Sequence, residues 1–156
     1  MAGTIEARLV ELGIELPDAP APVSNYMPYV VSGNLVFISG QVTLWNGEIQ
    51  FIGKIGADMS VEQGYEAARI CGLNQIAQVR AACGGDLDRV SKVVKLGAFV
   101  NCVDGFTDLP QVVNGASDLM IEVFGDAGRC TRTNVGVSSL PLGFAVEIDG
   151  IYEISR

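Results

Sequence analysis

The stretch "GRCTRTNVGVSSLPLGFAVEIDGIYEI", Gly128 to Ile154, decides how the chain is read. Two β-rich runs, about 131–138 and 143–154, flank "SSLPLG", whose proline and glycine signal a turn. Side chains alternate along a strand. On the first run Arg132, Asn134 and Gly136 share one face and Thr131, Thr133, Val135 and Val137 the other; on the second, Ala145, Glu147 and Asp149 oppose Phe144, Val146 and Ile148. An antiparallel hairpin turning between Ser139 and Leu140 sets Arg132 directly opposite Glu147. The apolar set is then expected under the helices, with Arg132, Asn134, Glu147 and Asp149 in one polar patch. Spacing leaves two readings open. One is a cross-strand ion pair on a solvated face, worth little. The other is an arginine fork gripping a carboxylate, with Glu147 holding a water or moving a proton beside it.

Outward from this pair of strands the chain punctuates clearly. "TIEARLVEL", 4–12, spaces Ile5, Leu9 and Leu12 on one helical face, and "LPDAPAP", 16–22, is an extended proline-rich connector. "PYVVSGNLVFISGQVTL" predicts two strands around Ser32-Gly33-Asn34, with Gly40 marking a bulge, a close backbone approach or a simple packing need. Asn46-Gly47 in "WNGE" signals a type I′ hairpin leading into a strand "IQFIGKI". Ser60 and Gln63 form a capping box before a helix ending at Gly84-Gly85. A strand follows over 89–103, then a second long helix with Pro110 in its first turn, Val112, Ala116, Leu119 and Val123 inward, and Gly125 as its stop. Strands, helix, strand, helix, strands imply an α+β layer pair: two helices on one face of a mostly antiparallel sheet. Residues 1–22 form an N-terminal helix and connector, and 23–156 the main domain.

Composition bounds the partners. Hydrophobic residues make up 49% of 156, charged residues only 18%, and mean hydropathy is +0.34. Such a chain is expected to bury surface against copies of itself. Net charge is −8, with only three lysines, Lys54, Lys92 and Lys95, and no histidine. Both features argue against nucleic acid as a partner, which needs a clustered basic surface. Cys71, Cys83, Cys102 and Cys130 show no paired spacing and suit small buried hydrophobes in a reducing compartment. No apolar run approaches the ~20 residues of a membrane span. The opening residues carry Glu6, Glu11 and Glu15, unlike a signal or transit peptide, so the expected location is the cytoplasm.

Four blocks, "GNLVFISGQ" (33–41), "GDLDRVSKVVKLGAFVN" (85–101), "VVNGASDLMIEVFG" (112–125) and "RTNVGVSSLPLGFAVEI" (132–148), resemble the RidA/YjgF reactive intermediate deaminase family, also labelled L-PSP endoribonuclease. The "IEARLVELGIELP" opening is similar to its endoribonuclease L-PSP/chorismate mutase-like branch. The resemblance implies a chorismate-mutase-like fold, a homotrimer with clefts between subunits, and hydrolysis of enamines and imines such as 2-aminoacrylate to a 2-keto acid and ammonia, without metal or cofactor. It assigns the carboxylate-binding arginine to Arg132 and the catalytic acid to Glu147. Tyr26, Gly40 and Asn114 match further substrate-binding positions, and Asn134 stands where the family often has cysteine. Arg129 has no counterpart and is expected to be a solvated or interface charge. Two other readings are a non-catalytic trimer that binds small carboxylates or proteins, and a ribonuclease, which the charge opposes.

Overall fold

The computed structural model describes residues 3–22 and 24–156; Met1, Ala2 and Val23, where the main segment is expected to begin, lie outside the described residues. Helix α1 (Thr4–Leu12) is followed by strands β1 (Tyr29–Ser32), β2 (Leu35–Gln41), β3 (Leu44–Trp45) and β4 (Glu48–Ile49). Then come α2 (Val61–Ala82), β5 (Val90–Asn101), α3 (Leu109–Phe124), β6 (Thr131–Val137) and β7 (Val146–Ile154). The main sheet runs β1-β2-β7-β5-β6, all antiparallel except the parallel β5/β6 pair, while β3 and β4 make a separate hairpin.

The two long helices form where the sequence places them. Ser60 accepts the Gln63 N–H at 3.2 Å, and Gln63 Oε1 accepts the Ser60 N–H at 2.9 Å, so α2 opens on the reciprocal cap. Val112, Ala116, Leu119 and Val123 of α3 are fully buried, each aliphatic among them contributing ~1.5–3 kcal/mol relative to exposure. They share the core with Ile76 and Val79 of α2 and with Val36, Val93, Leu96, Ile148 and Tyr152 of the sheet. The alternate sheet positions are open: Val30, Phe37 and Val135 stay 52%, 43% and 42% exposed. All three helices lie on one side of a mixed, mostly antiparallel sheet.

Helix α1 lacks a side-chain cap of its own. Its free Thr4 and Ile5 N–H groups donate instead to Asp88, both at 2.8 Å. The bonds from Ile5 and Thr4 hold the Asp88 carboxyl below the usual carboxylate range.

Three expectations are corrected. Strands β6 and β7 do not form a hairpin: β5 lies between them, pairing Leu96 with Arg132 on one side and Phe99 with Glu147 on the other. The reason is α3, a crossover helix that returns the chain parallel to β5. The β6 faces are also reversed, because Val135 is on the open side while Arg132 reaches α3. Finally, "IQFIGKI" is not a strand past Ile49; Phe51 turns at φ 51° and Ile52 and Ile55 make only isolated bridges. Among the described residues, no helix is long and apolar enough to cross a membrane.

Candidate functional site

The first functional cluster lies at the β6 edge of the sheet. Arg132 donates from Nε to Asn134 Oδ1 at 3.0 Å, and from Nη1 to Asn114 Oδ1 at 2.8 Å and Ser117 Oγ at 3.0 Å. A guanidinium has five N–H donors, and among the described residues the two on Nη2 have no partner. Asn114 and Ser117 sit one turn apart on α3, so both reach the same strand edge. A close helix crossing fixes that turn: a Cβ added at Gly115 would lie 2.0 Å from the Tyr65 carbonyl oxygen of α2. Arg132 is thus held in one orientation with two donors available to an anion.

The second cluster is a cavity of about 470 Å³ beside strands β2 and β7, lined in part by Tyr26, Ser39, Gly40, Leu142, Phe144 and Glu147. Gly40 lies in a bulge of β2, where the register against β7 shifts between Ile38 and Gln41. A Cβ there would meet Glu147 Oε1 at 2.6 Å and its Cγ at 2.9 Å, so the glycine marks both a bulge and a close backbone approach. Ser39 donates its N–H to Pro28 O at 3.0 Å and its hydroxyl to Met27 O at 2.6 Å, which ties the segment carrying Tyr26 to the bulge. Leu142 at the rim adopts φ 54°, a conformation uncommon for a branched residue and concentrated at functional sites.

Electrostatics distinguish the carboxylates. Burial, and then the charge of Asp149, raise the Glu147 pKa above its ordinary value. Asp149 is also raised by burial, against the opposing pull of the Gly97 backbone and Lys95. Glu147 is therefore a carboxyl that can carry a proton at higher pH than an exposed one. Among the described residues Arg129 pairs only with exposed Asp126, at 3.4 Å. Cys71, Cys83 and Cys102 are buried, and among the described residues no three His, Cys, Asp or Glu side chains cluster to hold a metal.

The structure thus brings Arg132, Asn114 and Asn134 together, and separately Tyr26, Gly40 and Glu147. It does not bring Arg132 to Glu147, which occupies the open face on the other side of β5. Ser117 was missed, although its spacing from Asn114 on a helix carries the signal. Also missed was Gln75, buried in α2, which donates to Ile148 O at 2.7 Å and Ser39 O at 3.3 Å and so braces the strand neighbours of Glu147 and Gly40. A polar residue within an otherwise inward helical face is the trace it leaves in the sequence.

The chain is similar to several known proteins. It is 46% identical to Protein TCP17 of Trypanosoma cruzi, over 99% of this chain and 97% of the relative. A protein of unknown function from Agrobacterium tumefaciens superposes with a TM-score of 0.90 at 45% identity, covering 97% of this chain and 92% of that one. A 2-iminobutanoate/2-iminopropanoate deaminase of Dermatophagoides farinae is 30% identical over 90% of this chain and 94% of its own. Residues 6–148 match the family described as "YjgF/chorismate mutase-like, putative endoribonuclease", and with that match and this fold the chain belongs to the RidA/YjgF family.

Proposed function

We propose that the protein is a hydrolytic deaminase of 2-imino acids and their enamine tautomers, working as a homotrimer whose sites lie between subunits. The observation that carries this reading is the division of the site residues. Arg132, ready for an anion, and Glu147, a cavity carboxyl whose pKa burial raises, sit on opposite faces of one sheet. Each half is incomplete alone. A second copy laid against the open face joins its Arg132 edge to this chain's Glu147 cavity, and covers the exposed Phe37 and Val135.

In the joined site the substrate carboxylate takes the Nη2 donors of Arg132, as charge-assisted hydrogen bonds. Protonated Glu147 gives its proton to the enamine carbon, and the C=N bond forms. Its carboxylate then removes a proton from water as the water oxygen bonds to the carbon of that C=N, whose π pair passes to nitrogen. The proton passes to the amine nitrogen, the C–N bond breaks, and ammonia leaves. The carbinolamine hydroxyl returns its proton to Glu147 as the keto acid forms, so the atoms balance without a co-reactant. Positioned acid–base groups contribute about 10²–10⁴-fold, and orientation adds to this.

An RNA substrate fits poorly with a net charge of −8. The experiment is incubation with 2-imino acids generated in situ by an amino-acid oxidase, following keto-acid release. Release faster than in a protein-free control is the expected result; equal rates would remove the deaminase reading.

A further inference from the structure

The cavity around Glu147 has a wall that does not come from the sheet. Pro20, Ala21 and Pro22, in the connector between α1 and β1, line it together with Leu44, Leu142 and Phe144. Proline-rich connector backbone has few partners of its own, and here it is tied down at two points. Gln78 of α2, only 1% exposed, donates from Nε2 to Pro20 O at 2.7 Å and, more weakly, to Gln41 Oε1 at 3.5 Å. The Asp18 N–H donates to Asn46 Oδ1 at 2.8 Å, in the β3–β4 turn. A buried amide spent on a surface connector is unexplained by the core. A polar side chain held inside a helix face costs stability unless its bonds are made, and here the main one holds the wall.

We infer that this connector is the specificity wall for the substrate side chain, that Gln78 is its positioning residue, and that the site favours 2-imino acids with extended apolar side chains over short ones. The inference rests on the deaminase reading for its substrate class. In this reading a short imine such as 2-iminopropanoate, anchored beside Glu147, leaves the wall of Pro20, Ala21 and Pro22 without a partner. A cavity of about 470 Å³ is in the range of ~300–1,000 Å³ that takes far larger ligands. A branched or aromatic side chain spans the gap and is enclosed by apolar surface on both sides.

The test compares imines derived from leucine and from alanine, as the ratio of their kcat/KM values, in the parent protein, Gln78→Leu and Ala21→Leu. The parent should favour the leucine-derived imine. Gln78→Leu releases the wall and Ala21→Leu fills the space before it. Each should lower the ratio about tenfold, the low end of what one methylene contributes in an apolar pocket, and the loss should lie in KM for the longer substrate and not in kcat. The same ratio is read by calorimetry from binding of 4-methyl-2-oxopentanoate against pyruvate. A parent that binds the longer acid preferentially yet releases no keto acid keeps the wall and removes the deaminase reading. A parent without preference, or equal ratios in all three proteins by both measurements, overturns the wall. If Gln78→Leu fails to fold, Ala21→Leu carries the test, since Ala21 is exposed on the connector.

Discussion

Arg132 and Glu147 lie on opposite faces of one sheet with strand β5 between them, Leu96 pairing with the first and Phe99 with the second. No rotation of either side chain brings them together within a chain. Two impaired variants, Arg132→Ala and Glu147→Gln, should therefore complement each other. If each site takes Arg132 from one subunit and Glu147 from the next, equal mixing after joint unfolding and refolding leaves about a quarter of the sites intact in a cyclic trimer. Imine hydrolysis should recover to about that fraction. Mixed trimers that stay as slow as either variant alone would return both residues to a single-chain role.

The Arg132 series separates charge from geometry. The guanidinium is held through Nε and Nη1 by Asn134, Asn114 and Ser117, and only Nη2 is left for substrate. Losing a charge-assisted hydrogen bond costs ~1.5–3 kcal/mol, roughly 10- to 150-fold. Arg132→Ala should lower kcat/KM and carboxylate binding by that factor. Arg132→Lys should rescue little, since an ammonium cannot hold three internal contacts and still present a donor pair. Arg129→Ala should cost almost nothing, because its one partner, Asp126, is fully solvated. Equal losses at Arg129 and Arg132 would show that overall charge, not a built site, binds the anion.

Glu147 has a testable sign. Burial raises its pKa in the folded protein above the unfolded value. The folded state then binds more protons between those two values, so the group's effect on stability becomes unfavourable as pH rises through the folded pKa. Glu147→Gln should therefore be as stable as the parent or more so at pH 7, and should show a flatter stability profile across the carboxylate range. Its turnover should fall by about 10²-fold or more, with binding of a keto acid retained. A variant that is less stable at neutral pH, with turnover intact, would make Glu147 a structural ion.

Much of this was legible in the chain. Ser60 and Gln63 announced α2, Pro110 and Gly125 bounded α3, and Asn46-Gly47 turned β3 into β4 as their local chemistry requires. Local signals fail where a third element intervenes. The proline and glycine of "SSLPLG" suggested a hairpin, but the strand–helix–strand run from Val90 to Val137 already contained the parallel crossover that displaces it. Alternation grouped Arg132 with Asn134 correctly and chose the wrong side, because at a sheet edge the helix-facing side need not be apolar. The residues that the family pattern named fall into two clusters in the structure. Which of them share a chain's surface depended on strand order, and residue spacing does not encode that.

Gly40 offers the most local test of the cavity. Its position in the β2 bulge lets the backbone pass directly over Glu147, leaving no room for a Cβ: the contacts would be 2.6 Å to Oε1 and 2.9 Å to Cγ. Its φ is not among the positive ones, so alanine is not excluded by backbone conformation. The carboxylate is the movable partner, and Gly40→Ala should push it off its place on the floor at an overpacking cost of ~1–3 kcal/mol. The fold should survive, since the core under β2 rests on Val36 and Ile38, which face the other way. Turnover should fall about as far as in Glu147→Gln, and the double variant Gly40→Ala/Glu147→Gln should lose little more than either alone, because both remove the same proton carrier. Melting temperature and imine hydrolysis measured on the three proteins decide it. Losses that multiply would mean that Gly40 acts on the substrate itself and not through Glu147.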